Sequence, residues 1–214
     1  MKRINQTARN IAIAAALAMA SSSAFATPVN SVVNAGFEGP TMNGSFDYLG
    51  GKTVDGWTFA GNSGVAANNS AFNVSNATGS QAAFLQQESE ISQVFNFTKS
   101  LLSLSFDAEA RGWGYGGNVI QVLVDGVVLT FTGATTILPG STSSFTTYTS
   151  DFIALSAGTH TLRFVGIGGN GDVTSFIDNV SINAVPEPLS LSLSLMGLGM
   201  LALGASRRKA GKKA

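Results

Sequence analysis

Cysteine is absent from the sequence, and histidine occurs once. The first absence excludes disulfide staples, a thiolate nucleophile and any zinc site built on sulfur, so an exported domain of this kind is held by its core or by a bound ion. The second excludes a histidine-rich zinc site, and neither a GxSxG elbow nor an HExxH pair occurs. The one histidine, His160, lies in the run GTHTL, where alternation turns it outward as a surface residue. Charge is scarce as well, at 11 % of residues. Long helical periodicity is missing from the middle of the chain, which leaves an all-β reading for it.

What charge there is gathers at the ends. Lys2, Arg3 and Arg9 surround the start of an apolar run over residues 11–20, and Ala24-Phe25-Ala26 offers a small-x-small cleavage site. Residues 1–26 therefore read as a secretory signal peptide, cleaved after Ala26. At the other end Pro186-Glu187-Pro188 precedes 17 uncharged residues, 189–205, and a tail over 206–214 with five basic side chains, Arg207, Arg208, Lys209, Lys212 and Lys213. As a helix the uncharged run would be about 25 Å long, the short end of what crosses a bilayer. The basic tail would hold its far end in the cytoplasm. One reading is a plain membrane anchor whose prolines stop the last strand. The order of the parts over 185–214 also resembles the PEP-CTERM sorting signal of Gram-negative bacteria. That resemblance implies an exosortase, a membrane transpeptidase, as partner, and attachment to the membrane through the helix before processing. It also implies export through the inner membrane to the envelope, the surface or the medium, often beside exopolysaccharide.

Between these ends lie four basic and eleven acidic side chains, a net charge of −7. Such a body argues against DNA, RNA and anionic lipid as partners. Residues 27–184 suffice for one domain with a sizeable core. Apolar and β-branched runs recur there between Gly, Asn and Ser, the pattern of an antiparallel sandwich or barrel. Strands are expected over 31–37, 56–60, 64–66, 71–75, 82–86, 91–97, 101–110, 118–124, 127–132, 145–154, 159–165 and 174–183. In LLSLSFDAEA, Leu102, Leu104, Phe106, Ala108 and Ala110 share one face, and Ser103, Ser105, Asp107 and Glu109 the other. One face is buried and the other is wet or lines a groove. Asp125-Gly126 marks a two-residue hairpin, with Asp125 as a turn former. Trp57 and Phe59 share a face and belong to the core.

A second resemblance covers residues 29–184. The ordered motifs NAGFEGP (34–40), DGWTF (55–59), ISQVFNF (91–97), SAGTHTLRF (156–164) and TSFIDNVSI (174–182) are similar to those of the galactose-binding-like jelly rolls, many of which are noncatalytic carbohydrate-binding modules. The resemblance implies two antiparallel sheets with first and last strands adjacent. It also implies a structural calcium ion shared by Glu38 and Asp178, with backbone carbonyls such as that of Gly36 completing the shell. By period two Asp178 lies on an apolar face with Phe176, Val180 and Ile182, which is costly for an unpaired carboxylate. The other reading is that Asp178 bonds backbone amides beside Asn179.

Four glycines interrupt the strands in RGWGYGGN (111–118). Rings at Trp113 and Tyr115 can stack on the apolar faces of sugars, with Arg111 and Asn118 bonding hydroxyls. The alternative is that Trp113 folds back as the anchor of its loop. Asp107 and Glu109 stand about 7 Å apart along one strand, a spacing inverting glycosidases use, but neighbours on one strand seldom flank a scissile bond. The expectation is a non-enzyme that binds carbohydrate or exopolysaccharide. A structural or adhesive matrix protein without a sugar site is the alternative, and a glycoside hydrolase stands behind both.

Overall fold

The computed structural model describes residues 27–29, 32–98, 101–112, 115–140 and 144–185. The expected signal peptide, the sorting tail with Pro186, Glu187 and Pro188, the expected span 189–205 and Trp113 lie outside the described residues. Among the described residues no helix is long and apolar enough to cross a membrane.

The alternation of branched and aromatic residues gives twelve strands, all paired antiparallel. The first four are β1 (Thr27–Val29), β2 (Phe46–Tyr48), β3 (Thr53–Val54) and β4 (Trp57–Ala67). Next come β5 (Gln81–Phe97), β6 (Leu101–Ala110), β7 (Ile120–Val124) and β8 (Val127–Val128). The last four are β9 (Thr146–Thr149), β10 (Ile153–Ala154), β11 (Gly158–Ile167) and β12 (Thr174–Val185). They form a jelly-roll sandwich in which the sheet curls over its own core. The path β10-β6-β12-β5-β11-β7-β8 runs through β5, which is 17 residues long. Its first half pairs with β12 and its second with β11, and β4 follows it along both halves. The bend falls at Gln87, which has a positive φ of 51°, and at a register shift between Gly61 and Ser63. As expected, first and last strands are neighbours, with Thr27 opposite Ala184.

The core lies between the two halves and is built from Trp57, Phe59, Leu85, Ile91, Leu104, Phe106, Phe164 and Ile177, all at most 2 % exposed. Each such side chain contributes roughly 1.5–3 kcal/mol through burial. The Trp57 indole N–H donates to the Asn34 carbonyl at 3.0 Å, so its polar edge is satisfied.

Several expected strands are corrected. Residues 32–37 form turns, with Asn34 and Phe37 at φ of 49° and 53°. Residues 71–75 belong to a loop, where Asn69, Asn73 and Asn76 all take positive φ, a conformation asparagine tolerates. The stretches 56–66 and 82–97 are each one bent strand rather than two. Residues 145–154 split into β9 and β10 because the Ser150 hydroxyl accepts from the Leu104 N–H at 2.9 Å and interrupts the ladder. The short strands β2 and β3 were not expected.

Candidate functional site

The face of β12, β5 and β6 turned away from the core is not bare. Register places Tyr48, Gly64, Phe84, Phe176 and Glu109 in one row across β2, β4, β5, β12 and β6. The loop over residues 68–80 folds across it and lays Phe72, Val74 and Ala77 on Ala66, Phe84 and Phe176, a second apolar cluster. The expected wet face is thus partly roofed, and Glu109 is only 1 % exposed.

At one end of the roof lies a polar and aromatic platform. Arg111 is buried, and its guanidinium carbon sits 4.3 Å from the centre of the Phe72 ring and 4.0 Å from that of Tyr115. One Arg111 terminal N–H group lies 2.9 and 3.0 Å from the two oxygens of Asp172. The Gln86 amide also donates to Asp172, and the Tyr48 hydroxyl donates to Gln86 at 2.6 Å. Tyr115 and Tyr48 are 43 % and 40 % exposed. Two open phenol rings therefore flank a hydrogen-bonded series, Gln86, Asp172 and Arg111, whose planar ends are fixed from below. Burial and the nearby Asp172 charge raise the Tyr48 pKa, so its hydroxyl stays protonated. Such an array can stack on an apolar ring face and exchange hydrogen bonds with hydroxyls.

Of the residues expected to bind sugar, the structure joins Arg111 and Tyr115 and adds Tyr48, Gln86 and Asp172. Asn118 is corrected. It is fully buried, its amide N–H groups donating to the Leu85 and Gln87 carbonyls and its oxygen accepting from Gly168 N–H at 2.7 Å. It is a strut, with no group left for a ligand. His160 is corrected too, being 6 % exposed. Its Nδ1 lies 2.6 Å from Asp125 and its Nε2 2.9 Å from the Ser156 carbonyl, while Phe95 and Phe97 pack on the ring. That hydrogen bond, with a second from Thr161 N–H, lowers the Asp125 pKa, and Asp125 does form the hairpin turn at φ 51°.

At the other end of the roof lie the carboxylates expected to share calcium. Gly36 and Asp178 lie together, a Cβ on Gly36 standing 3.5 Å from Asp178 Oδ1, while the Glu38 carboxylate is held against Gly79 and Ser80. Asp178 is 1 % exposed and accepts from the N–H groups of Thr78 at 2.8 Å and Asn179 at 2.7 Å. Both readings of Asp178 thus have part of their geometry, since it bonds Asn179 N–H and also feels the Glu38 charge. Burial pushes its carboxyl up to about 7, against those two hydrogen bonds, with Asp107 and Glu38 adding repulsion. Glu38 accepts from Ser80 N–H at 3.0 Å. Among the described residues no group of three or more His, Asp or Glu side chains is placed to hold an ion. The pair of carboxylates fits a hard cation in charge and donor type, with backbone oxygens needed for the rest.

Asp107 and Glu109 do not face a common cleft. Asp107 accepts from Thr147 at 2.5 Å and Asn179 at 2.7 Å, using both oxygens. Burial raises the Glu109 pKa to about 7, against a hydrogen bond with Ser75. Its Oε2, the Arg111 Nε and the Thr174 hydroxyl are the buried side-chain atoms without a partner among the described residues, and they fall on adjoining positions of β6 and β12.

The PEP-CTERM protein-sorting motif matches residues 184–209. No curated protein matches the chain. In structure the chain is similar to the Stig cyclase Fisc from Fischerella sp. TAU, solved with (3Z)-3-(1-methyl-2-pyrrolidinylidene)-3H-indole, at 20 % identity and a TM-score of 0.57 over 75 % of this chain and 99 % of that one. A cyclase from Fischerella sp. TAU gives 18 % identity and 0.57 over 76 % and 98 %. TmCBM61 in complex with β-1,4-galactotriose gives 17 % identity and 0.49 over 72 % and 97 %. The chain thus carries a PEP-CTERM motif, which marks proteins for export and surface sorting in Gram-negative bacteria, behind a jelly-roll domain.

Proposed function

We propose that this domain is a non-catalytic carbohydrate binder, holding exopolysaccharide at the cell surface or in the surrounding matrix through the Tyr48–Tyr115 platform. The observation that carries the reading is the pair of open phenol rings flanking the fixed row of Gln86, Asp172 and Arg111. A non-catalytic role is favoured because Asp107 is hydrogen-bonded through both oxygens and Glu109 is enclosed, so these two carboxylates do not flank an open cleft. Export would begin with cleavage after Ala26, and an exosortase would act at Pro186-Glu187-Pro188. Glu38 and Asp178 would hold a structural calcium ion, which when bound supplies the positive charge that this corner lacks and ties the first turns to β12.

A polysaccharide-binding screen of the purified exported protein tests the reading. At least one neutral or mixed polysaccharide should be retained by the wild type and released by Tyr48→Ala and by Tyr115→Ala. Retention unchanged in both variants would remove the platform and favour a matrix protein without a sugar site. A second reading rests on Glu109, a carboxyl whose pKa burial raises to about 7 beside Phe84 and Phe176, which suits acid chemistry on an apolar substrate of the kind the cyclases' name suggests. Product formation lost in Glu109→Gln would establish it.

A further inference from the structure

We infer that the platform continues into a trough that selects glycans by charge: it takes chains bearing free amino groups, with Glu88 as counter-charge, and rejects uronate chains. The inference rests on the carbohydrate reading above and deepens it.

The bend of β4 and β5 that divides the sheet also opens the surface beside the platform. One hollow of about 350 Å³ is lined by Asn62, Gln87, Glu88, Gly169 and Asn170. A second, of about 420 Å³, follows it and includes Gly61, Glu88, Glu90, Val165, Gly166 and Ile167. Glu88 lines both, so the hollows adjoin at its side chain. Hydrogen bonds join them to the platform: Asn62 donates to Gln87 at 3.0 Å, and Gln87 donates to the Gly171 carbonyl at 2.6 Å, next to Asp172. Gly166 lies on the buried side of β11, where any Cβ would overlap the Asn118 amide and the Gln87 carbonyl, so the strand packs closely on β5 beneath the trough. Side-chain amides at 62, 87 and 170 suit hydroxyls, while Val165 and the 45 % exposed Ile167 offer an apolar wall. That mixture fits pyranose rings in a row.

Charge then decides which rings. The described residues include three basic side chains of the Lys and Arg type, and each is already held by a carboxylate. Lys52 lies 3.7 Å from Asp47, Arg111 lies 2.9 Å from Asp172, and Arg163 pairs with Glu90. Among the described residues a uronate entering the trough finds no free cation, and it meets Glu88, which is exposed and forms no ion pair there. An ammonium group meets an available partner at the same point.

The test compares three soluble oligosaccharide sets of equal length on the purified full chain: chito-oligosaccharides with free amines, their fully N-acetylated forms, and oligouronates. The aminated set should bind about threefold or more tighter than the acetylated set, as expected for one semi-exposed ion pair, and the gap should shrink with salt. Oligouronates should not bind. Glu88→Gln should abolish the preference, bringing the aminated and acetylated sets to equal affinity, whereas Asp151→Asn, an equal loss of charge outside the lining of the trough, should preserve it. A preference that persists in Glu88→Gln, or uronate binding as tight as aminated binding, overturns the trough. Loss of binding in Tyr115→Ala together with that persistence keeps the platform while discarding the trough. Binding that survives Tyr115→Ala but loses its preference in Glu88→Gln does the reverse. Failure of all three sets to bind overturns the trough, while the polysaccharide screen with Tyr48→Ala and Tyr115→Ala decides the platform.

Discussion

The two ends of the roofed face handle buried charge in opposite ways. At the platform end a buried cation, Arg111, is pressed between Phe72 and Tyr115 and paired with Asp172, whose side chain is 46 % exposed. At the Gly36 end a buried anion, Asp178, has two N–H donors and two acidic neighbours, Asp107 and Glu38. The first end is charge-balanced by its own side chains and is left with open rings to offer a ligand. The second is balanced only by a proton or by a cation from outside. One loop, residues 68–80, links the two, bringing Phe72 to Arg111 and Thr78 to Asp178.

The largest contrast should emerge on changing pH. Asp178 and Glu109 both have pKa values raised to about 7 in the folded chain, from 3.8 and 4.5. The folded state therefore binds their protons more tightly than the unfolded state, so their contribution is greatest near pH 4 and is lost as pH rises towards 7 and above. Each is worth on the order of 3–4 kcal/mol at most. Asp125 and Asp151, with lowered pKa values, act only below about pH 4 and leave that range unaffected. Melting in chelator should thus show a midpoint that falls from pH 4.5 to 7.5, and Asp178→Asn with Glu109→Gln should flatten the slope. A rising midpoint in wild type contradicts the assignment.

Next in size is loss of Arg111. Arg111→Met keeps the stem but removes both ring contacts and the ion pair, which should cost about 2–4 kcal/mol and lower the midpoint by roughly 6–12 °C. A change under about 2 °C would show that the platform is not fixed from below. Calcium then probes the opposite end. An ion a hundredfold above its Kd stabilises by about 2.7 kcal/mol, a rise of roughly 5–10 °C at pH 7.5 that should fade at acid pH and vanish in Asp178→Asn. Equal melting of the wild type in excess calcium and in chelator would assign Asp178 to its backbone bonds alone. The smallest effect is on binding: Tyr115→Ala should cost about 1–2 kcal/mol, a five- to thirtyfold loss of glycan affinity, with little change in melting.

Strands whose partners lie on the same sheet were readable because period two survives in them; β6 spans Leu101–Ala110 as LLSLSFDAEA implies. The nearness of Gly36 to Asp178 follows the family resemblance of the motifs at both chain ends. The roof was not, because Phe72 sits among asparagines in a run that reads as a short strand, and its partners Phe176 and Arg111 are distant in sequence. For the same reason Tyr48 and Asp172 carried no signal: each is an ordinary loop-edge residue until Gln86 joins them. His160 alternates outward in sequence but is enclosed by Asp125, 35 residues away, and by two phenylalanines. Asn118 resembled a ligand residue because a polar side chain beside glycines has the same composition whether it serves as a strut or a contact.

The central claim is that the open rings and the row between them form the glycan surface. Backbone and side-chain chemical-shift mapping during titration with a retained oligosaccharide tests it most directly. The largest changes should cluster at Tyr48, Gln86, Asp172, Arg111 and Tyr115, with smaller ones at Gln87 and Glu88. Changes gathered elsewhere, for example around Phe131 and Tyr148, with these seven residues unmoved, would contradict it.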